Sequence, residues 1–269
     1  TTGDGVNNTE AVDVMAEEGP VLVEKVLMKR LRIPFSRSAP EALDYAQEGG
    51  HSRRRILHVK DATGQVIERR FLAALRKHPR VRLYPGHTVV DLLTVPHHSK
   101  NHTAYYRVPQ AIGAYVLDNG SSAVRRFFAP YTVLATGGCG SVFLYTSNPP
   151  GADGSGYAMA FRAGARIVNM EYIQFHPTVL LKEDGSGFLI SETVRGEGGR
   201  LKTKDGRTFM HKYAKLGDLA PRDEVSRAIY EEMIATNTDR VYLDLASHAR
   251  IDIRKRFPTI YRTCLESGI

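Results

Sequence analysis

Tryptophan, cysteine pairs and long apolar runs are scarce or absent in this chain of 269 residues. With no tryptophan and only two cysteines, the composition is not that of a disulfide-stapled secreted scaffold. No run of 18 apolar residues exists, so the sequence predicts no membrane-spanning helix. The 42% hydrophobic and 25% charged residues are typical of a globular protein and exclude a coiled coil, a collagen and a disordered tail.

The first residues and the cysteines indicate the context of the chain. The sequence begins at Thr1 rather than at a methionine, so we expect an internal piece of a longer protein. Its first residues do not have the pattern of a signal peptide. Cys139 and Cys264 are too far apart for a metal-ligand motif, and such isolated thiols favour a reducing compartment. We therefore expect a cytoplasmic protein with no membrane partner.

The charge balance is basic, because 37 Lys and Arg against 29 Asp and Glu give a net charge of +8. A positive excess favours anionic partners such as phosphates, carboxylates or nucleic acid. The basic residues are dispersed, however, and the densest cluster is the arginine run at 53–55. No nucleic-acid-binding motif accompanies this run, so we predict a solvated surface there and no nucleic-acid partner.

The spacing of apolar residues predicts both helices and strands. Residues 9–32 are predicted to form two helices, with Thr9 as the first cap and a break at Gly19-Pro20. Further helices are predicted over residues 66–77, 154–165 and around 225–233. Their inward faces are predicted to carry Phe71, Leu72 and Leu75 in the first, Ala158, Phe161 and Ala165 in the second, and the apolar stripe Val225, Ile229 and Met233 in the third. Strands are predicted over residues 81–83, 88–93, 111–117, 127–135 and 241–245.

The predicted strand at 127–135 runs directly into Thr136, Gly137 and Gly138. A continuous apolar run of this kind suits a buried parallel strand, and paired glycines let a ligand approach the backbone closely. An ordinary tight turn is the alternative. The next helix begins at a glycine-rich turn, residues 154–156, whose peptide N–H groups can hold an anion.

A polar loop at residues 96–110 contains His97, His98 and His102. Imidazole is a common metal ligand, but nothing in this loop fixes a coordination geometry. We therefore predict a solvated loop and no metal site.

Polar residues become dense near residue 173, where we place a domain boundary. His176, Glu192, Arg195 and Arg222 are each predicted in turns or at helix starts, where a rigid scaffold often holds functional groups. A guanidinium binds a carboxylate with two hydrogen bonds, so two such anchors would suit a small dicarboxylate.

Two further aspects of these residues stay open from the sequence alone. The hydroxyls of Thr178 and Ser191 can each add a hydrogen bond to a ligand. The alternative to a binding site is a pair of structural ion pairs, in which each arginine contacts an acid close to it in sequence. These pairs would be Arg195 with Glu197 and Arg222 with Asp223.

The segment at residues 48–58 is unusually polar, with Glu48 followed by two glycines, a histidine and three arginines. A carboxylate on a glycine-rich loop can recognise an ammonium group. A charged surface turn is the alternative.

Five motifs occur in an order that resembles the succinate dehydrogenase and fumarate reductase flavoprotein superfamily. They are Glu-Gly-Gly-His-Ser-x-x-Arg-Ile-Leu-His, Ala-Thr-Gly-Gly, Gln-Phe-His-Pro-Thr, Glu-x-x-Arg-Gly-Glu-Gly and Ala-Pro-Arg-Asp. The resemblance covers residues 3–269. Within the superfamily, the segment at 48–58 resembles the aspartate-oxidising branch rather than the succinate dehydrogenases.

The resemblance implies an α/β fold, with a partial Rossmann-like FAD-binding domain at 1–172 and an α+β substrate-capping domain at 173–269. It implies FAD-dependent oxidation of L-aspartate to iminoaspartate, with O2 or fumarate as the electron acceptor. Iminoaspartate would then feed quinolinate synthase in NAD biosynthesis. The alternatives are a fumarate reductase or succinate dehydrogenase flavoprotein, or a flavin-free piece without activity.

The resemblance also implies roles for particular residues. Arg222, Glu48 and His176 would be catalytic. Thr178, Ser191 and Glu192 would bind the substrate, and no residue would bind a metal. The residues next to FAD would be Ala135, Thr136, Gly137, Gly138, Gly154, Ser155 and Gly156.

Three departures from the superfamily pattern weaken parts of this assignment. The upstream Gly-x-Gly-x-x-Gly turn and the downstream flavin segment are not in this sequence. Ser155 stands where the superfamily usually has Asp. Ser191 stands where Thr is common.

Overall fold

A computed structural model of the chain describes residues 5–96, 99–182, 185–247 and 251–269. His97 and His98, two residues of the polar histidine loop, lie outside this described part. The chain divides into two compact units. Unit 1 consists of Thr1–Val81, Phe175–Lys182 and Phe188–Ile269, and unit 2 of Arg82–Gln174 and Glu183–Gly187.

Helices and short strands are interspersed along the described chain, which confirms a mixed α/β fold. The Rossmann-like form of the flavin domain stays a prediction. The α-helices are α1 (Thr9–Leu22), α2 (Thr63–Arg76), α3 (Ser155–Arg162), α4 (Thr193–Gly196), α5 (Arg222–Ala235), α6 (Ile253–Arg256) and α7 (Pro258–Glu266). A π-helix covers Val23–Arg30, and 3-10 helices cover His102–Tyr106, Gly140–Val142, Met210–Lys212 and Gly217–Leu219. The strands are β1 (Arg37–Ala39), β2 (Ala42–Leu43), β3 (Tyr45–Ala46), β4 (Ile56–Leu57), β5 (His87–Thr94), β6 (Ala111–Asp118), β7 (Ala123–Phe128), β8 (Val179–Leu181), β9 (Gly187–Leu189), β10 (Arg200–Lys202) and β11 (Tyr242–Asp244).

The helical start of unit 1 differs from the prediction in two details. Asn8, not Thr9, caps α1, because the Asn8 side chain accepts a hydrogen bond of 3.1 Å from the Ala11 N–H. The helix also continues through Pro20. Proline has no N–H to donate within the helix, but the Val23 N–H still donates to the Gly19 and Pro20 carbonyls.

Unit 1 contains two apolar clusters that anchor its helices. In the first, Val225 and Ile229 of α5 pack with Phe209 and Leu201 of β10. This confirms the apolar stripe predicted for α5, because residues four apart lie on one face of a helix. In the second, Leu31 and neighbouring apolar residues hold the π-helix against β4 and α2.

Unit 2 is built on a three-stranded antiparallel sheet with the order β5-β6-β7. Its register pairs His87 with Asp118 and runs to Thr94 opposite Ala111. Gly113 has a φ of +150°, and a Cβ there would overlap the Phe127 carbonyl oxygen on β7. Glycine at this position therefore permits the close approach of β6 and β7.

The predicted buried strand at 127–135 is wrong. Strand β7 ends at Phe128, and Tyr131 and Val133 are 88% and 86% exposed. A strand forms only where a neighbour accepts its backbone hydrogen bonds. Ala129 N–H still donates to the Ile112 carbonyl of β6 at 3.0 Å, but the described residues pair no strand with 130–137. A short strand at 81–83 was also predicted, but no described strand lies there.

The inward faces predicted for two helices need correction. In α3 the buried residues are Gly156 and Met159, whereas Phe161 is 71% exposed. Helix α2 forms as predicted but begins three residues earlier, at Thr63. Its Phe71 is 38% exposed instead of facing inward, because Val66 and Ile67 on another face carry the packing.

The two units are not separated by a single cut in the sequence. One break lies between 174 and 175, close to the predicted boundary at 172, and another between 81 and 82. The assignment of 1–172 to flavin binding and 173–269 to substrate capping stays a prediction. No described helix is long and apolar enough to cross a membrane.

Candidate active site

A buried carboxylate, Glu192, joins two arginines in unit 1. Glu192 precedes the single turn of α4, so Arg195 lies three residues further on and on the same face. Arg195 Nη2 is 2.7 Å from Glu192 Oε1, and the two side chains are 0% and 2% exposed. Arg222 Nε donates to the other oxygen, Glu192 Oε2. Glu192 is therefore held between two guanidinium groups.

Burial makes this cluster costly unless every charge has a partner. Arg195 meets most of that requirement with a second bond, because its Nη1 donates to the Asp218 carbonyl oxygen at 2.6 Å. Its buried Nε has no hydrogen-bond partner among the described residues. Burial still lowers the pKa of Arg195 from its usual value, although Glu192 opposes this shift. The Asp218 carboxylate, also buried, accepts from the Leu201 N–H at 2.7 Å, which ties β10 to the same cluster.

Arg222 lies at the edge of the cluster, where a ligand can reach it. It is the first residue of α5 and follows Pro221. Its side chain is 33% exposed, and its Nη2 is 3.4 Å from Glu48 Oε2. Arg222 therefore contacts a buried acid on one side and a partly exposed acid on the other.

Glycines hold the Glu48 loop against this cluster. The loop at 47–55 closes the hairpin of β3 and β4, and Gly50 N–H donates to the Leu219 carbonyl at 3.0 Å. A Cβ on Gly49 would overlap Glu192 Oε1, and a Cβ on Gly196 would overlap the Gln47 carbonyl oxygen. Only glycine fits at both positions, so the loop and α4 make direct backbone contact.

His176 presents an unpaired ring nitrogen. Its Nδ1 is 3.2 Å from the Thr178 N–H nitrogen and 3.0 Å from the Thr178 carbonyl oxygen. Its Nε2 is buried and has no hydrogen-bond partner among the described residues. Burial, and secondly the positive charge of Arg222, lower the pKa of His176 below its usual 6.5. The ring is therefore neutral at pH 7.

The two hydroxyls predicted to bind substrate are engaged within the fold. Thr178 Oγ1 donates to the Ile190 carbonyl at 3.1 Å. Ser191 Oγ donates to Thr193 Oγ1 at 3.1 Å and accepts from the Thr193 N–H. Ser191 therefore stabilises the start of α4, next to Glu192, in the way that serine caps helices.

The residues predicted to lie beside FAD form two touching segments of unit 2, at 135–138 and 154–156. A Cβ on Gly156 would overlap Thr136 Oγ1, and a Cβ on Gly154 would lie 3.1 Å from Cys139 Cβ. Gly137 has a φ of +80°, and nothing lies within 4 Å of where its Cβ would be. The Gly137 backbone therefore borders open space beside the start of α3. A large group such as FAD could approach the main chain there.

The acids of the two ion pairs that sequence proximity suggested take other partners. Asp223 pairs with Arg227 at 2.8 Å, one turn along α5. Glu197 pairs with Arg54 at 2.9 Å. Neither acid takes the partner that sequence proximity suggested, so Arg195 and Arg222 are available to Glu192.

Sequence reasoning grouped Arg195 with the candidate residues but did not identify Glu192 as its partner, and it did not assign Gly49 to the site. The three-residue spacing of Glu192 and Arg195 could have indicated a shared helical face. Gly49 offered no such signal, because its role depends on a residue far away in sequence. In the described part of the chain, no three His, Cys, Asp or Glu residues are grouped to hold a metal ion.

Comparisons with known sequences match nearly the whole chain. A family model described as FAD binding domain matches residues 1–268. The chain is 43% identical over 271 residues to L-aspartate oxidase 1 of Ralstonia nicotianae, and 40% identical over 274 residues to L-aspartate oxidase of Pseudomonas aeruginosa. Each match includes 99% of this chain but 49% of the relative. The chain thus spans about half the length of these curated relatives.

Solved structures give a consistent result. A quinol-fumarate reductase with menaquinol molecules is similar, with a TM-score of 0.82 and 27% identity over 97% of this chain and 46% of that one. A mutated E. coli quinol fumarate reductase gives a TM-score of 0.81 at 28% identity, over 97% of this chain and 45% of that one. The resemblance deduced from the five motifs is confirmed.

Proposed function

Because this chain belongs to the FAD binding domain family, we propose that it carries the substrate site and part of the flavin site of an enzyme that oxidises L-aspartate. The product is iminoaspartate. FAD is the cofactor, and when bound it supplies the acceptor for the hydride of the substrate Cα. The activity belongs to the protein that carries this chain, because the similar oxidases are about twice as long.

The observation that carries this proposal is the contact of Glu48 with Arg222 beside the unpaired Nε2 of His176. L-aspartate has two carboxylates and one ammonium at neutral pH. Arg222 is a donor for a carboxylate, since a guanidinium forms two parallel hydrogen bonds with that group. Glu48 is an acceptor for the ammonium. The site therefore offers a complementary group for each end of the substrate.

The charge of the cluster supports aspartate over a simple dicarboxylate. Glu48 and Glu192 balance Arg195 and Arg222, so these four side chains have no net charge. Without Glu48 the cluster would be positive and would attract a dianion. L-aspartate has one negative charge less than succinate or fumarate. The electrostatic repulsion between the ligand and the Glu48 carboxylate is therefore smaller for L-aspartate.

His176 contributes a neutral donor. In the tautomer in which Nδ1 accepts the Thr178 N–H, the ring proton lies on Nε2 and can be donated to a substrate carboxylate. Its lowered pKa keeps the ring from adding a second charge near Arg222. Thr178 and Ser191 support this arrangement, Thr178 through the His176 ring and Ser191 through α4.

The backbone segments at 135–138 and 154–156 would hold part of FAD. Peptide N–H groups at the start of α3 favour a negative group, and glycines let the cofactor approach the main chain. Similarity to quinol-fumarate reductases supports fumarate as an electron acceptor beside O2. Iminoaspartate would then be the substrate of quinolinate synthase in NAD biosynthesis.

Anaerobic mixing of the protein with L-aspartate tests the proposal. We expect the visible flavin band to bleach with L-aspartate and to persist with succinate. Bleaching by succinate alone would overturn the proposal in favour of a fumarate reductase or succinate dehydrogenase flavoprotein. That second function is supported by the similarity to the solved quinol-fumarate reductases.

A further inference from the structure

An acidic residue outside the substrate cluster holds the loop that carries Glu48. The Glu197 side chain is only 10% exposed. Its Oε1 is 2.9 Å from Arg54 Nη2 and 3.3 Å from Arg256 Nε. A nearly buried carboxylate that binds two guanidinium groups is an anchor with little competing water on its own side, although the Arg54 side chain is 50% exposed.

The two arginines come from different parts of unit 1. Arg54 lies in the 47–55 loop, and its Nε also donates to the Tyr45 carbonyl at 2.8 Å, across the base of the hairpin. Arg256, on α6, is fixed by a bond of 3.2 Å to the Lys60 carbonyl and by stacking over Phe257. Glu197 therefore ties a loop to a rigid support.

The anchor is linked directly to the position of Glu48. Glu197 follows Gly196, whose missing side chain makes room for the Gln47 carbonyl. Gln47 precedes Glu48, so the end of α4 supports the loop just before Glu48. The Glu197 side chain supports the same loop at Arg54, six residues after Glu48. Between these two supports, the Glu48 carboxylate reaches Arg222 at 3.4 Å.

We propose that the Arg54–Glu197 pair is a positioning pair that sets where the Glu48 carboxylate lies, and thereby sets the preference for amino dicarboxylates over plain dicarboxylates. This inference rests on the proposed function. A plain dicarboxylate has no ammonium to meet Glu48. Its binding depends on Arg222 and His176, and it loses no attractive contact when the Glu48 carboxylate moves away.

The test compares Arg54→Met with Arg53→Met in the flavin-loaded protein. Each variant removes one positive charge from the same loop, but Arg53 has no ion pair or hydrogen bond with the described residues. We expect Arg54→Met to raise the KM for L-aspartate about tenfold, the effect of losing one charge-assisted hydrogen bond. The KM for fumarate, measured with a reduced dye as donor, should not rise. Arg53→Met should change neither constant.

Two further variants separate positioning from damage to the fold. Arg54→Lys keeps the charge and should recover part of the affinity for L-aspartate, whereas Glu197→Gln should reproduce the effect of Arg54→Met. An unchanged KM for L-aspartate in Arg54→Met, or an equal rise for both substrates, would overturn the inference. A wild-type protein that does not oxidise L-aspartate would refute the proposed function itself, and this inference with it.

Discussion

Replacement of Gly49 by alanine is a demanding check on the packing of the candidate site, because it adds one methyl group and changes no charge. The new Cβ would overlap Glu192 Oε1 and would lie 2.9 Å from the Ala220 carbonyl oxygen. Neither neighbour can move easily. Glu192 is 2% exposed and bound to Arg195 and Arg222, and Ala220 is fully buried.

The size of the effect follows from two opposing contributions. Alanine reduces the freedom of the unfolded chain, which by itself would stabilise the protein by about 0.4–1 kcal/mol. Overpacking a rigid site costs about 1–3 kcal/mol, and a strained or lost hydrogen bond to the Glu192 carboxylate adds about 1.5–3 kcal/mol. The clash outweighs the entropic gain, so we expect Gly49→Ala to lower the free energy of unfolding by about 1.5–5.5 kcal/mol.

Urea denaturation of Gly49→Ala measures this change, and Gly64→Ala is the matched control. Gly64 lies in the first turn of α2, and nothing lies within 4 Å of its missing Cβ. Alanine there should stabilise the protein by about 0.5–1 kcal/mol. Equal stability of Gly49→Ala and the wild type would refute the conclusion that the Glu48 loop is packed on the Glu192 carboxylate. The KM for L-aspartate should also rise in Gly49→Ala, because Glu48 adjoins the displaced backbone.

Three other predictions concern charge and protonation. Glu48→Gln should reduce L-aspartate oxidation more than fumarate reduction, since only aspartate has an ammonium, and equal losses in steady-state assays would contradict this role. Arg222→Leu should abolish both activities because one carboxylate anchor serves both substrates, so retained turnover would remove Arg222 from the site. The lowered pKa of His176 means that the unfolded state takes up its proton first as the pH falls. Stability should therefore decrease below about pH 6.5, less steeply in His176→Gln, as denaturation at pH 7.5 and 5.5 would reveal.

The motifs and the local patterns were accessible from the sequence. The stripe of Val225 and Ile229 predicted α5, because helical periodicity is a property of neighbouring residues. The order of five motifs predicted the flavoprotein family, which the comparisons confirm. Glycine-rich turns and charged residues beside proline identified the residues for a candidate site before any of their contacts were known.

The partners of the charged residues depended on the tertiary structure. Glu48 and Arg222 are 174 positions apart, and no periodicity connects residues at that distance. Sequence proximity suggested an ion pair of Arg195 with Glu197. In the structure, Arg195 pairs with Glu192, and Glu197 pairs with Arg54. Coulomb attraction follows distance in space and burial, not separation along the chain.

The sequence by itself therefore determined the chemistry available to this protein: its acids, its arginines, its helix periodicity and its family motifs. The tertiary structure decided which of these groups meet, and it ended the strand predicted at 127–135 at Phe128, because residues 130–135 pair with no strand in the described chain. The physical reason is the same in both cases. Hydrogen bonds, ion pairs and burial need two surfaces brought together by the fold, whereas residue type and local spacing are properties of one stretch of chain.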